Sequence, residues 1–265
     1  MKRILSLCLL ATLTFSSSRF VLADQKEEVQ KFGREGMEAS HSKNWPKAIS
    51  AFKRVAELQP TSQNHENLGM AYLGAGNLAE ALKSFGAAIA ADADNTSAYY
   101  NRASVLLKQK RYEEAVADCT ELLNRQADNA KAKHLRAAAE LGKADWKAAF
   151  DDYSAILNGN HNDAEALEGR AYALMQTKDY DKAIADYSEV IRLKPKNAHG
   201  YMKRGYLYEL KGDLPKAIAD CEQALKLDPK DQEAQSRKKA MQSKQGQAPG
   251  APPAGQPPPA PAHTP

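Results

Sequence analysis

The chain has 265 residues, 37 Lys and Arg against 33 Asp and Glu, a formal net charge of +4, and 43% hydrophobic side chains. That is enough apolar material to bury a core. The charge balance argues against a nucleic-acid binder, which concentrates positive charge to neutralise phosphates.

In chain order, "MKRILSLCLLATLTFSSSRFVLADQ" opens with Lys2 and Arg3, continues through a mostly apolar run from Ile4 to Phe15, and reaches Val21 and Ala23 just before Asp24. This is the layout of a secretory leader, residues 1–23, with cleavage after Ala23. The run is too short for a permanent transmembrane helix, which needs about 20 apolar residues. Cleavage would remove three of the 37 basic side chains and none of the 33 acids, leaving a formal net charge of +1. It also places the protein across the inner membrane, in the bacterial periplasm.

From residue 24 to 230 the chain repeats itself. "DYDKAIADYSEVIRLKPKN" (179–197) returns 34 residues later as "DLPKAIADCEQALKLDPKD". Ala48, Ala81, Ala115, Ala149, Ala183 and Ala217 anchor six units spaced by 33 or 34 residues, the period of a solenoid. Twelve residues before each anchor the side chain is small: Gly36, Gly69, Ala103, Ala137, Ala171 and Gly205. Four residues after it stand Phe52, Phe85, Cys119, Tyr153, Tyr187 and Cys221. Each unit carries two apolar-periodic segments of about three turns with a short break between them. The small column lets the two helix axes approach to about 8–10 Å. Ser62, Asn95, Asn129, Asp163, Asn197 and Asp231, fourteen residues past the anchors, are residue types that cap a new helix.

These columns resemble the tetratricopeptide repeat (TPR) family, most closely in "NHENLGMAYLGAGNLAEALKSFGAAIAAD" and "YMKRGYLYELKGDLPKAIADCEQALKLDP". The resemblance implies an all-α, right-handed superhelical solenoid of about six helix-turn-helix units. Residues 231–244 are expected to form a C-terminal capping helix, since a solenoid end needs a polar outer face. Residues 245–265 are rich in Pro, Ala and Gly and lack Asp, Glu, Lys and Arg. They are expected to be disordered or polyproline-like, serving as a spacer or as a ligand for an aromatic-lined groove.

Units three to six carry Arg102, Arg136, Arg170 and Arg204 thirteen residues before the anchor, and Asp118, Asp152, Asp186 and Asp220 three residues after it. Units one and two lack both partners. The pattern predicts four structural ion pairs between the first and second helices of the same or adjacent repeats; common descent of these units is the alternative. Cys119 and Cys221 occupy the column that is aromatic elsewhere and lie three repeats apart, so they are expected to be buried thiols and not a disulfide.

No catalytic or metal-binding constellation stands out: the six histidines are scattered, with none at i, i+4, and no cofactor is implied. A non-catalytic role follows. In the TPR family the first helix of each unit lines a concave binding surface. Projected here, that surface holds Asn67 and Met70; Tyr100, Asn101 and Ser104; Lys131, His134 and Ala138; Glu165, Glu168 and Tyr172; and Met202, Lys203 and Tyr206. Some TPR proteins grip a chaperone's C-terminal carboxylate with Lys, Asn, Asn, Lys and Arg. Asn101 and Lys131 fit that pattern, but Glu66, Met70 and Leu135 do not, and Glu66 has the wrong charge. The expectation is therefore a secreted scaffold binding another protein or peptide in its groove. The alternative is a structural or assembly subunit of an envelope complex, docking through the solenoid ends or the Pro-rich tail.

Overall fold

The computed structural model describes residues 24–246, and among them thirteen α-helices and no strand. The secretory-leader expectation falls on residues 1–23, outside the described residues. Of the tail expected from residue 245, residues 245 and 246 instead belong to the last helix, and 247–265 lie outside the described residues. The chain divides into two compact units, Met1–Lys143 and Ala144–Pro265.

The first unit holds α1 (residues 24–41), α2 (Trp45–Leu58), α3 (Ser62–Gly74), α4 (Leu78–Ala91), α5 (Thr96–Lys108), α6 (Tyr112–Arg125) and α7 (Ala130–Gly142). The second holds α8 (Trp146–Gly159), α9 (Ala164–Gln176), α10 (Tyr180–Leu193), α11 (Ala198–Leu210), α12 (Leu214–Leu227) and α13 (Gln232–Gly246). Within each unit every helix packs on its neighbour in sequence, and odd-numbered α5 and α7 also touch.

The anchor column explains the packing. All six anchor alanines are at 0% exposure, so each second helix lies against its neighbours with no side chain beyond a methyl at the crossing. The column four residues later fills the space beside it: Phe52, Phe85, Cys119, Tyr153, Tyr187 and Cys221 are all buried. Burial of the Cys221 thiol pushes its pKa up, as expected when the thiolate would lose its water.

Helix starts are set by short polar side chains. Asn95, Asn129, Asp163, Asn197 and Asp231 each accept a hydrogen bond from a backbone N–H two or three residues on. At α3 the cap is Thr61, whose hydroxyl accepts from Asn64 N, and Ser62 is instead the first helical residue. The second helices are capped in the same way by Asn44, Asn77, Asp145, Asp179 and Asp213.

The turn inside each repeat needs a left-handed residue. Lys43, Gly76, Lys110, Ala144, Lys178 and Gly212 all have φ between 56° and 80°. At five of these turns the next residue's N–H reaches back five positions, as in Asn77 to Tyr72 O and Asp179 to Leu174 O, closing the helix in a Schellman motif. Only two of the six positions use glycine, which adopts this conformation without the Cβ penalty of about 1 kcal/mol or more. Lys178→Gly is therefore expected to stabilise the protein by about 1 kcal/mol. A denaturation midpoint that does not rise contradicts that reading.

Helix α13, the last helix among the described residues, continues the register as a first helix. Ala234 and Met241, which stand 34 residues after Gly200 and Leu207, are buried. Lys239, in line with the small residue Gly205, is exposed. The side that would meet a following helix is thus polar, which suits a terminal helix.

Candidate functional site

In the first unit the first helices of successive repeats stand side by side. Between α1 and α3 lies a cavity of about 290 Å³ lined by Met37, His41, Trp45, Asn67, Met70 and neighbours. Phe52 forms part of its wall. Met37 and Met70 are 53% and 46% exposed, unusual for large apolar side chains. Asn67 and Met70 were expected on this face; Met37 and Trp45 were not. Met37 was legible, since it lies 33 residues before Met70 in one repeat column.

The next pair of helices is joined by a polar knot. Glu66 on α3 is buried at 8% exposure, and its carboxylate accepts from Asn95 Nδ2 at 3.0 Å, Asn101 Nδ2 at 3.0 Å and the Ser97 hydroxyl. Asn101, expected to offer its amide to a ligand, donates it instead to Glu66, 35 residues earlier. Tyr100 is half-buried against the cluster of Tyr99, Leu122, Leu123 and Ala132. These two positions thus serve helix packing at least as much as an open face. Ser104, His134 and Ala138 are half-buried and Lys131 is exposed.

In the second unit Tyr172 on α9 is 37% exposed and meets Trp146 edge-to-face, with ring centroids 6.0 Å apart and planes at 74°. Glu165 is exposed. Glu168 is half-buried, with Lys194 Nζ 3.9 Å away. Beneath them Tyr187 is buried, and its hydroxyl pKa is pushed up by desolvation first and by the charge of Glu168 second. Met202, Lys203 and Tyr206 border a cavity of about 430 Å³ between α11 and the start of α13. They are less open than the sequence suggested. Met202 packs against the cluster of Ala217, Cys221 and Met241, while the Arg237 guanidinium lies 4.6 Å from the Tyr206 ring centre. Arg237 is fixed there by Glu209 at 3.0 Å and Glu233 at 2.9 Å.

The Arg and Asp columns meet within single repeats. Arg102 Nε and Nη2 donate to Asp118 at 2.8 and 2.6 Å. Arg170 does the same to Asp186 at 2.8 and 2.7 Å, and Arg204 to Asp220 at 2.9 and 2.8 Å. Arg136 and Asp152 fall in different units. Hydrogen bonding to the aspartate raises the pKa of Arg102, Arg170 and Arg204, against the opposing effect of burial.

A second tie escaped the sequence reading. Arg136 Nη1 donates to Thr120 Oγ1 at 3.4 Å, Arg170 Nη1 to Ser154 Oγ at 3.5 Å and Arg204 Nη1 to Ser188 Oγ at 3.0 Å. Each hydroxyl lies 16 residues earlier, on the second helix of the preceding repeat. One guanidinium thereby ties three helices, α8, α9 and α10 in the case of Arg170. In the last turn of the pattern Lys238 on α13 reaches Glu222, again 16 residues back, at 2.8 Å.

This architecture is that of a helix-hairpin repeat protein. The chain belongs to the tetratricopeptide repeat family, whose repeat pattern matches residues 66–132, 134–198 and 169–232, more than half of the chain. It is 43% identical over 61 residues to human (Homo sapiens) DnaJ homolog subfamily C member 3, covering 23% of this chain and 12% of that protein. It is 33% identical over 91 residues to neutrophil cytosol factor 2 from Bos taurus, covering 34% of this chain and 17% of that one. The chain thus spans well under a fifth of the length of these relatives.

Among solved structures it is similar to a tetratricopeptide repeat protein from Parabacteroides merdae, with TM-score 0.67, 22% identity and coverage of 81% of this chain and 89% of that one. YrrB, described as a TPR protein with an unusual peptide-binding site, matches with TM-score 0.64 and 22% identity over 72% of this chain and 100% of its own. The pilF protein of Pseudomonas aeruginosa matches with TM-score 0.63 and 20% identity over 82% and 99%. At these identities the likeness is one of fold.

Proposed function

We propose that this protein is a non-catalytic interaction scaffold that binds an extended segment of a partner protein along its first helices, working in the bacterial periplasm after loss of residues 1–23. TPR proteins mediate protein–protein interactions, and this chain carries the repeat pattern over most of its described length. The observation that carries the finer reading is the open apolar seat between α1 and α3, where Met37 and Met70 stand exposed beside Trp45. Methionine adapts to varied partners at low cost. Tyr172 over Trp146 offers a second such seat in the second unit. The fold-related YrrB is described as having a peptide-binding site of its own. The leader-like residues 1–23 support the location.

Each seat is expected to contribute through burial of one large apolar side chain. Met70→Ala and Tyr172→Ala should therefore each weaken partner capture from a periplasmic extract about tenfold while leaving the melting curve in place. Wild-type capture by both variants contradicts groove binding. Capture lost only on deleting residues 247–265 places docking on the tail instead.

A further inference from the structure

We propose a second binding site between the second helices α4 and α6 of the first unit, which takes the acidic side chain of a partner peptide beside an aliphatic residue. It lies in a cavity of about 410 Å³ lined by Leu82, Lys83, Arg102, Leu106, Arg111 and residues of α6.

The repeat itself shows what the site lacks and what fits it. In three repeats the Arg Nη1 donates to a Thr or Ser hydroxyl on the preceding second helix, at 3.0–3.5 Å. In the same column, 16 residues before Arg102, stands Gly86. A Cβ there would sit 3.7 Å from Arg102 Nη1, at ordinary contact distance. Arg102 commits Nε and Nη2 to Asp118, and Nη1 has no protein acceptor among the described residues. An oxygen brought by a ligand would therefore stand where Thr120, Ser154 and Ser188 place theirs.

Charge and shape name the ligand. Lys83, Arg102 and Arg111 line the cavity against Glu114 and Asp118, a lining charge of +1. Lys83 is held by the exposed i,i+3 carboxylate of Glu80, while Arg111 donates twice to Glu114 at 2.6 Å and once to Gln109 Oε1 at 3.5 Å. The exposed Lys83–Glu80 pair is weak, so this ammonium can turn to an incoming carboxylate. A charge-assisted hydrogen bond to Arg102 favours a carboxylate over a neutral amide. Leu82 and the buried Leu106 supply apolar wall for an adjacent aliphatic side chain. The proposal does not depend on the α1–α3 seat.

The test is calorimetric titration of the full chain with a blocked Leu-Glu-Leu peptide and its Leu-Gln-Leu counterpart. The Glu peptide is expected to bind about tenfold or more tightly than the Gln peptide. Gly86→Ser, which supplies Arg102 with its missing hydroxyl, is expected to weaken the Glu peptide by about tenfold or more. Because serine is a better helix former than glycine, this variant should melt no lower than the parent. Met70→Ala should bind the peptide as the parent does. Equal affinity for the two peptides, binding of neither, or an unchanged affinity in Gly86→Ser overturns the proposal. Free butyrate binding as tightly as the Glu peptide overturns the assignment to a protein partner.

Discussion

Shortening Phe85 to alanine is expected to cost about 3–5 kcal/mol of stability, the largest loss for any single substitution considered, read from urea denaturation. Phe85 on α4 is at 0% exposure and forms a cluster with Ala81 and Val105, flanked by Leu73 and Leu78. Its ring occupies a slot that exists because residue 69 has no side chain. A Cβ added to Gly69 would stand 2.6 Å from Phe85 Cε1, well inside contact distance. The ring is enclosed and cannot give way. Gly69→Ala is therefore expected to lose about 1–3 kcal/mol through overpacking, even though alanine favours the helix by about 1 kcal/mol. The first and third repeats fit this exchange, whereas Ala137 with Tyr153, Ala171 with Tyr187 and Gly205 with Cys221 do not. A Cβ added to Gly36 would stand 2.7 Å from Phe52 Cε1, whereas Ala103 accompanies the smaller Cys119. The double variant Gly69→Ala with Phe85→Cys copies the third repeat, and its loss should fall short of the summed single losses by about 1 kcal/mol or more. Additive losses would show that the two columns do not share one space.

The part of the structure legible in the sequence was the part written six times. A column at a period of 34 is a repeated observation, so burial of the anchor alanines and the helix boundaries follow from pattern with little chemistry. The Arg and Asp columns were legible for the same reason, and the bonds Arg102–Asp118, Arg170–Asp186 and Arg204–Asp220 lie within their own repeats. The hydroxyl column was not. Thr120, Ser154 and Ser188 read as ordinary polar surface until the guanidinium of the next repeat is placed beside them. Single positions resisted most. Asn101 lies on the expected face, yet its amide is spent on Glu66, whose column repeats the glutamate only at Glu168. Tyr206 was expected in the open, but Arg237 of the terminal helix stacks on it. Periodicity specifies which side of a helix a residue occupies. It is silent on neighbours that occur once.

Replacing Asp186 with alanine is expected to cost about 3 kcal/mol, near the lower end of the range for breaking a shielded ion pair. Asp186 is buried and accepts two hydrogen bonds from Arg170, while Arg170 retains 25% side-chain exposure. Removing the carboxylate leaves a guanidinium between α8, α9 and α10 with Ser154 as its acceptor, and water reaches only part of it. Exposed Lys147, 2.7 Å from Asp151, provides the contrast: Lys147→Ala should cost less than about 0.5 kcal/mol, because solvent already screens that pair. The bidentate geometry matters as well as the charge, so Arg170→Lys should lose part of the stability although it stays cationic. A double replacement by leucine at 170 and 186 is expected to cost less than Asp186→Ala alone, since it strands no charge. The consequence reaches the binding face. The guanidinium fixes the roll of α9 against its neighbours, and α9 carries Tyr172. Asp186→Ala should therefore loosen the Tyr172–Trp146 contact before the unit unfolds, seen as a shift in tryptophan emission below the main transition. A single transition, with emission and far-ultraviolet dichroism changing together, would mean that the clamp contributes stability without steering the face.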